Sequence, residues 1–313
     1  MSEINQTLAF VFPGQGSQSV GMIADLLDHA IVTQTLSEAD EALGFSLSDI
    51  IRTGDEVALG KTEITQPAIL TVSIALWRVW AAENGAKPAF FAGHSLGEYS
   101  ALVAAGVMAF KDAVRLVHFR GQYMQEAVPE GTGAMAAILG LDDAAVIALC
   151  EDSAEHGIVS AVNFNSPGQV VIAGEKDAVA AACDLAKERG AKRALLLPVS
   201  VPSHSVLMKP AAERLSALLD NMLLASPSEV VIHNVDVQAH RDSDEIKTAL
   251  ISQLYEPVRW TETIEQLVRE GVTTIVECGP GKVLTGLIRR IDKSLITYNV
   301  FDGASLDRVI KEI

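Results

Sequence analysis

Cysteine, basic side chains and long apolar segments are all scarce in this sequence of 313 residues. Its three cysteines are Cys150, Cys183 and Cys278, and none of them has C-x-x-C spacing. An odd number of widely spaced cysteines indicates neither a disulfide framework nor a zinc centre. We therefore expect a protein of the reducing cytoplasm that carries no metal site.

Positive charge is in deficit, because 24 Lys and Arg stand against 40 Asp and Glu, for a formal net charge of -16. A nucleic-acid backbone requires a basic face, so general nucleic-acid binding is not expected. An acidic protein partner would need a local basic patch. The segments "KERGAKR" (187–193) and "RRIDK" (289–293) are candidates, although solvated helix ends explain each of them equally well.

No apolar run approaches the ~20 residues that a membrane-spanning helix needs, so no membrane association is expected. The first residues, "MSEINQTLAFVFPGQG", lack the basic region and cleavage site of a secretory signal. With 49% apolar and 20% charged residues, the composition is that of an ordinary globular protein. The length allows one large domain or two modest ones.

Strands and helices alternate in the first third of the chain. The segment "LAFVFPGQG" predicts a buried strand over residues 8–12, and "AFFAG" predicts the next strand at 89–93. Between them, "ITQPAILTVSIALWRVWAAENG" predicts a helix that opens at Pro67 and closes at Gly85. This alternation indicates an α/β fold with a parallel sheet covered by helices.

The pattern changes in the middle of the chain. Strands are predicted at 134–140, 159–165, 169–175 and 193–200, with a helix after the first and another after the third. The order βαββαβ is that of the split-βαβ, ferredoxin-like unit. We expect a ferredoxin-like subdomain at 131–199, inserted into a large α/β domain that comprises residues 1–130 and 200–313.

The segment around Ser95, "FFAGHSLGEYSALVAAG" (90–106), predicts an exposed nucleophile. Ser95 stands between Gly93 and Gly97, after an apolar strand and before a helix of small residues. A G-x-S-x-G sequence in this context is typical of the nucleophile elbow, a sharp turn that lifts the serine hydroxyl clear of the sheet. The alternative is a glycine-rich turn with an incidental serine.

A serine hydroxyl needs a positioned base, and the chain has seven histidines to provide one. His204 is the best candidate, because it follows the strand of "ALLLPVSVPSHS" in a loop that two prolines fix. His94 is adjacent to the serine and is expected to support the turn, while His233 could be structural. A surface role is the simpler interpretation for three others, which lie in polar stretches: His29, His156 and His240. His118 projects from the polar side of its helix.

Arg120 lies on the apolar side of a helix predicted over residues 111–127. At about 100° per residue it falls at the centre of an apolar stripe. A buried guanidinium is costly unless it is paired, and arginine does not escape the cost by losing its proton. Its partner is either an internal Asp or Glu or a substrate carboxylate held bidentately. The second alternative makes the substrate a dicarboxylic acyl group. The stripe consists of Ala113, Leu116, Val117, Tyr123, Met124 and Ala127.

Two glycine-rich turns, "FPGQGSQSVGM" and "CGPGKVLTG", match neither the dinucleotide-binding pattern nor the phosphate loop, and no cofactor is expected. A Gly-Gln-Gly turn that leaves a strand can instead offer a backbone N–H to an oxyanion. The amides of Gln15 and Leu96 are the candidate donors, since Leu96 follows the candidate nucleophile. Taken alone, "GQGSQ" is more simply a plain turn.

Six segments spread over nearly the whole chain are similar, in the same order, to motifs of the malonyl-CoA:acyl carrier protein transacylases of type II fatty acid synthesis. They are "FVFPGQGSQ", "TQPAILTVSIALW", "GHSLGEYSALVAAG", "NFNSPGQVVIAG", "VPSHS" and "ECGPGKVLTGLIRR". The resemblance implies a hydrolase-like core with an inserted ferredoxin-like subdomain. It also implies that a malonyl group passes from malonyl-CoA to a serine, and from there to the phosphopantetheine thiol of acyl carrier protein.

The resemblance also implies roles for individual residues. Ser95 is the acylated nucleophile, His204 its base, and Arg120 the group that binds the malonyl carboxylate. The histidine is oriented by main-chain carbonyls, so a Ser–His dyad without a triad acid is expected. The remaining residues are the oxyanion donors Gln15 and Leu96 and the histidine-orienting residues Gln253 and Asn234.

Two positions do not settle the resemblance. Ile23 stands where the family would have glycine, which we interpret as a difference in helix packing. Ser203 precedes His204 at a position that is used to infer the extender unit of modular polyketide acyltransferases. Stand-alone enzymes commonly have serine there, so that rule is not applied.

We expect the transacylase to be a monomer, and three other functions stay open. A serine hydrolase or thioesterase predicts a triad Asp or Glu and a path for water. A polyketide or trans-acting acyltransferase would use another extender unit. A non-catalytic docking module is the third, and the joint presence of Ser95, His204 and Arg120 counts against it.

Overall fold

A computed structural model describes residues 3–199 and 201–313, and its larger sheet forms the centre of the fold. This sheet has five parallel strands in the order β7-β2-β1-β8-β9. Its carboxyl edge therefore carries the loops that follow β1 and β2, where the glycine-rich turns lie. The strands are β1 (Ile4–Phe12), β2 (Lys87–Gly93), β7 (Val230–Ile232), β8 (Thr274–Cys278) and β9 (Ile296–Val300).

A second, antiparallel sheet is built from a single stretch of the chain. Its strands have the order β4-β5-β3-β6, so the first strand of the stretch lies between the third and the fourth. This is the split-βαβ arrangement, and the prediction of a parallel α/β core with an inserted ferredoxin-like unit is confirmed. The elements are β3 (Gly133–Leu139), α7 (Asp143–Asp152), β4 (Val159–Ser166), β5 (Gln169–Glu175), α8 (Lys176–Glu188) and β6 (Arg193–Leu196).

Helices cover both faces of the larger sheet, and a main core that includes Phe10, Phe12 and Phe91 lies beneath them. None of the helices in the described ranges has the length and apolar character to cross a bilayer. The helices are α1 (Ala30–Leu43), α2 (Leu47–Thr53), α3 (Glu56–Gly60), α4 (Thr62–Ala82), α5 (Gly97–Ala104), α6 (Phe110–Glu126), α9 (Lys209–Asp220), α10 (Ser243–Ser252), α11 (Trp260–Arg269), α12 (Val283–Ile291) and α13 (Gly303–Glu312).

Helix α4 starts earlier than the sequence predicts. The prediction that it opens at Pro67 is wrong, because the helix already begins at Thr62 and Pro67 lies inside it. A proline has no N–H to donate to the carbonyl four residues earlier, here that of Glu63. That carbonyl lies 2.8 Å from His118 Nδ1, which donates to it from helix α6. The ring nitrogen thus replaces the missing backbone donor.

Strand β6 is shorter than the predicted strand at 193–200. It ends at Leu196, and Pro198 follows two residues later. Proline cannot donate to a sheet ladder, which explains the early end. Residue 200 of the predicted strand lies outside the described residues. The boundaries of the inserted subdomain at 131 and 199 stay a prediction, although all strands of the second sheet fall between them.

Backbone hydrogen bonds attach the second sheet to a segment that lies outside the inserted unit. Val258 N donates to Val162 O at 2.9 Å, and Phe164 N donates to Val258 O at 3.0 Å. These bonds join strand β4 to the segment that precedes helix α11. The second sheet is thereby held beside the carboxyl edge of the first, and a cleft separates the two.

Candidate active site

The turn between β2 and α5 holds Ser95 in a strained conformation. Its φ angle is 52°, in the left-handed region that a residue with a side chain rarely adopts. Two glycines make the turn feasible, since a Cβ on Gly93 would lie 1.9 Å from Gly97 C, and one on Gly97 would lie 2.0 Å from Phe12 O. This is the geometry of a nucleophile elbow, in which such strain accompanies exposure of the serine.

His204 lies next to Ser95, as a base must. Ser95 Oγ and His204 Nε2 are 2.7 Å apart, and His204 Nδ1 is 2.6 Å from the main-chain oxygen of Gln253. Because a carbonyl only accepts, Nδ1 carries the proton and Nε2 is left to accept from the serine hydroxyl. His204 also has a positive φ, 64°, so the nucleophile and its base are each held in an unusual backbone conformation, in two separate loops.

The pKa of His204 is lowered to about 3. Burial is the main cause, because it disfavours the charged imidazolium, and the positive charge of Arg120 acts in the same direction. The hydrogen bond to the Gln253 carbonyl opposes this shift. The imidazole is therefore neutral near pH 7 and able to accept a proton.

Asn234 does not orient the histidine, in contrast to the expectation from the resemblance. Its side-chain oxygen accepts from Ser95 N at 2.7 Å, and its Nδ2 donates to Gly93 O at 2.7 Å. Its own carbonyl accepts from Arg259 N at 3.1 Å. Asn234 follows β7, the neighbour of β2 in the sheet, so its short side chain reaches the elbow and not the loop of His204. It holds the strained turn in place.

The amides of Gln15 and Leu96 lie at the same cleft. Both residues line it, and within the described residues neither backbone N–H has a protein acceptor. The loop after β1 packs tightly against the elbow, since a Cβ on Gly14 would lie 2.5 Å from His94 O. Two free N–H groups beside a nucleophile are the arrangement that stabilises an oxyanion.

Arg120 is buried, as its position on the apolar stripe predicts, with 1% of its surface exposed. Its Nη1 donates to Gln66 Oε1 at 2.7 Å and its Nη2 to Gln253 Oε1 at 3.0 Å. Nη2 also lies 3.4 Å from Ser95 Oγ. Within the described ranges no carboxylate lies at ion-pair distance from the guanidinium, so the alternative of an internal Asp or Glu partner is not what the structure shows.

Glu98 is a buried residue of the site that the sequence did not bring to attention. Its carboxylate accepts from His233 Nδ1 at 2.7 Å, from Asn234 N at 3.0 Å and from Gln253 Nε2 at 2.8 Å. The only sequence signal was an acidic residue three positions after the candidate nucleophile in a helix of small apolar residues. His233 is thus structural, as one interpretation of the sequence had it.

His94 supports the elbow from the side of the inserted unit. Its Nε2 lies 2.7 Å from Asn165 Oδ1 on strand β4, and burial lowers the pKa of His94. This contact ties the nucleophile turn to the second sheet. The expectation that His94 serves the turn and not the chemistry agrees with this position.

A cavity of about 420 Å³ opens between the two sheets above Ser95. The larger part of the structure contributes polar groups to its base, and the inserted unit contributes mainly apolar side chains to its wall. Among the residues that the structure describes, no three His, Cys, Asp or Glu side chains lie together as metal ligands. The lining includes Gln15, Ser95, Leu96, Arg120, His204, Asn165, Val171, Leu197, Val199 and Leu287.

These groups can together perform acyl transfer. A hydroxyl with an adjacent neutral imidazole can attack a carbonyl, and two amides can hold the oxyanion that results. A guanidinium beside the hydroxyl can bind an anionic group on the same substrate molecule.

Comparison with known proteins agrees with this chemistry. Residues 9–308 match the model of the acyl transferase domain family. The chain is 55% identical over 305 residues to the malonyl CoA-acyl carrier protein transacylase of Salmonella typhimurium, covering 97% of this chain and 99% of that protein. It is 49% identical to the protein of the same name from Bacillus subtilis, covering 98% of this chain and 97% of the relative.

Solved structures show the same similarity. An acyl carrier protein S-malonyltransferase from Vibrio cholerae matches with a TM-score of 0.95 and 58% identity, over 97% of this chain and 99% of that one. A malonyl-transacylase in complex with its type II polyketide synthase acyl carrier protein matches with a TM-score of 0.96 and 53% identity. That match covers 98% of this chain and 99% of the other.

Proposed function

Because the chain belongs to the acyl transferase domain family, we propose that it transfers the malonyl group of malonyl-CoA to the phosphopantetheine thiol of acyl carrier protein. The product supplies chain elongation in fatty acid synthesis. The observation that carries the substrate assignment is Arg120, a buried cation without a carboxylate partner in the described chain, 3.4 Å from Ser95 Oγ. An acyl group that ends in a carboxylate provides the missing counter-charge.

The first half of the reaction acylates Ser95. The malonyl carboxylate binds Arg120, which brings the thioester carbonyl of the same acyl group over the serine hydroxyl. His204 Nε2 accepts the hydroxyl proton as Oγ attacks, and the amides of Gln15 and Leu96 bind the oxyanion. Each such donor typically stabilises the transition state by about 3 kcal/mol. Collapse of the tetrahedral adduct breaks the C–S bond, and the CoA thiolate takes the proton from His204.

The second half reverses these steps with another thiol. The phosphopantetheine thiol of the carrier protein enters the same cleft and gives its proton to His204 as its sulfur attacks the malonyl ester. The C–O bond breaks, Ser95 recovers its proton from His204, and malonyl carrier protein leaves. One site thus serves two thiols in turn, which is a ping-pong scheme.

The hydrolase alternative predicts a triad acid, and the structure supplies a different group. A main-chain carbonyl, that of Gln253, accepts from His204 Nδ1. In the described part of the chain the carboxylate of Glu98 is hydrogen-bonded to His233, Asn234 and Gln253, not to His204. This supports a Ser–His dyad.

Three free and buried cysteines, Cys150, Cys183 and Cys278, support a location in the reducing cytoplasm.

Intact-mass analysis after mixing with malonyl-CoA tests the proposal. We expect the protein to gain one malonyl group, and to lose it when phosphopantetheinylated carrier protein is added, with the malonyl group recovered on the carrier. The Ser95→Ala variant should gain no mass. Release of free malonate without transfer would favour the hydrolase, and a label on Ser95→Ala would show that another residue is the nucleophile.

The role of Arg120 has a separate test. In the Arg120→Ala variant we expect malonyl transfer to fall by about 100-fold or more, the loss expected when a charge-assisted pair is removed. Transfer from acetyl-CoA should fall much less, because it has no carboxylate to bind. An unchanged ratio of the two kcat/KM values would refute the carboxylate role.

A further inference from the structure

The side chains that hold Arg120 are unusual because they carry no formal charge. Both side chains that hold the guanidinium do so with amide oxygens, Gln66 Oε1 on Nη1 and Gln253 Oε1 on Nη2. Both glutamines are buried, with 1% and 0% of their surface exposed. A buried arginine is ordinarily paired with a carboxylate, which offsets the cost of desolvating its charge. Here two neutral acceptors take that place.

The amide of Gln253 has its orientation determined by its neighbours. Its Nε2 donates to Ser95 O at 3.0 Å and to Glu98 Oε2 at 2.8 Å, so its oxygen must point to Arg120. Glu98 is thereby separated from the guanidinium by the length of an amide group. Its three hydrogen bonds to His233, Asn234 and Gln253 hold it there. Glu98, a buried carboxylate near Arg120, is thereby kept from pairing with it.

Gln66 is in an equally defined position. It lies on helix α4, and its Nε2 donates to Met124 Sδ at 3.5 Å, so its oxygen points to the guanidinium. Tyr99 closes another side, with its ring centroid 5.4 Å from Arg120 Cζ. The guanidinium is thus fixed in space by groups that carry no formal charge, while it borders the cavity above Ser95.

We propose that Gln66 and Gln253 determine substrate specificity through their neutrality: they position Arg120 without neutralising it, so that the acyl group supplies the only carboxylate in contact with it. This inference rests on the proposed function. Glutamate differs from glutamine by one atom at nearly the same volume. A glutamate at position 66 would form the internal ion pair that the structure avoids, and the substrate carboxylate would then compete with it.

Two substitutions of Gln66 separate charge from positioning. Gln66→Glu retains the oxygen that accepts from Arg120 and adds the negative charge. Gln66→Met retains the length of the side chain, removes the acceptor and adds no charge. Gln125→Glu is the matched control, since it adds the same charge to helix α6, which also carries Arg120, on the polar face of that helix. Gln66 is the better position to change, because the main chain of Gln253 also holds His204.

The measurement is the ratio of kcat/KM for malonyl-CoA to that for acetyl-CoA, with intact mass as a second readout of Ser95 acylation. We expect Gln66→Glu to lower the ratio by about 10- to 100-fold, the effect of redirecting one charge-assisted hydrogen bond. Gln66→Met should lower the ratio much less than Gln66→Glu, because Gln253 still holds the guanidinium and no internal carboxylate competes with the substrate for it. Gln125→Glu should resemble the wild type.

The outcomes also distinguish this inference from the proposed function. If Gln66→Glu and Gln66→Met reduce the ratio equally, Gln66 acts by positioning alone and the inference is wrong, while malonyl transfer by the wild type still stands. If Gln66→Glu keeps the wild-type ratio, neutrality has no role. If the wild type itself shows no preference for malonyl-CoA, the proposed function fails first. Circular dichroism of each variant checks that it folds.

Discussion

The positive charge of Arg120 should contribute to the low pKa of the base, His204, and so to the pH dependence of activity. A histidine below its pKa is protonated and cannot accept the serine proton, so activity is lost on the acid side. The pKa of His204 is lowered to about 3, by burial first and by Arg120 second. The wild-type enzyme should therefore show no titration of His204 between pH 5 and 8. Removal of the charge in Arg120→Met should raise this pKa.

The structure sets the size of the shift. Arg120 Nη2 lies 3.4 Å from Ser95 Oγ, which lies 2.7 Å from His204 Nε2, so the two nitrogens are at most about 6 Å apart. At an effective dielectric constant of ~20, two charges at this separation interact by about 3 kcal/mol, or about 2 pH units. Water that enters the space left by the guanidinium would raise the pKa further in the same direction.

The assay is kcat/KM for acetyl-CoA between pH 4 and 8, since this substrate has no carboxylate that needs Arg120. We expect the wild-type kcat/KM to stay constant down to about pH 5. In Arg120→Met we expect activity to fall on the acid side, with a midpoint at about pH 5 or above. Arg115→Met is the control, because Arg115 lies on the same helix but is 49% exposed, where its charge is screened. An acid limb near pH 6.5 in the wild type, unchanged in the variant, would refute the reasoning.

The remaining predictions concern the frame of the site. Asn234→Ala leaves two backbone groups unpaired, the part-buried Ser95 N–H and the buried Gly93 carbonyl. It should lower kcat by about 10- to 100-fold with little effect on KM; an increase in KM alone would contradict this. Gly97→Ala places a Cβ 2.0 Å from a backbone oxygen and should destabilise the fold by about 2 kcal/mol or more in urea unfolding, so a wild-type midpoint would be a surprise. Glu277→Ala removes the buried carboxylate that accepts from Leu284 N at 2.9 Å and Thr285 N at 2.7 Å, and should cost about 2 kcal/mol of unfolding free energy. Equal stability of the two proteins would show that water replaces this cap.

Much of the fold follows from local patterns. The apolar run that forms β1, the glycines of the elbow and the alternation of strands and helices are all short-range signals, and each leads to the observed element. The limits of elements were less predictable. Helix α4 begins before Pro67 because His118, a residue of another helix, supplies the missing hydrogen bond. No local pattern contains that partner.

The residues of the candidate site were likewise predictable only in part from the sequence. Ser95 and Arg120 are marked in the chain itself, one by a turn that only glycines permit and the other by a charge at the centre of an apolar helical stripe. Asn234 was assigned to the wrong neighbour, since a motif names a residue but does not say which atom it faces.

What a linear pattern can carry is thus the identity of the nucleophile, the buried cation and the sheet that presents them, because each depends on residues within one turn or strand. Packing alone decides which charged and neutral groups surround Arg120. These groups come from three separate segments, α4, α5 and the loop after α10, and they are Gln66, Glu98 and Gln253. Electrostatic interactions depend on distance in space and not along the chain. Only the folded molecule therefore shows that no carboxylate of the described residues pairs with Arg120.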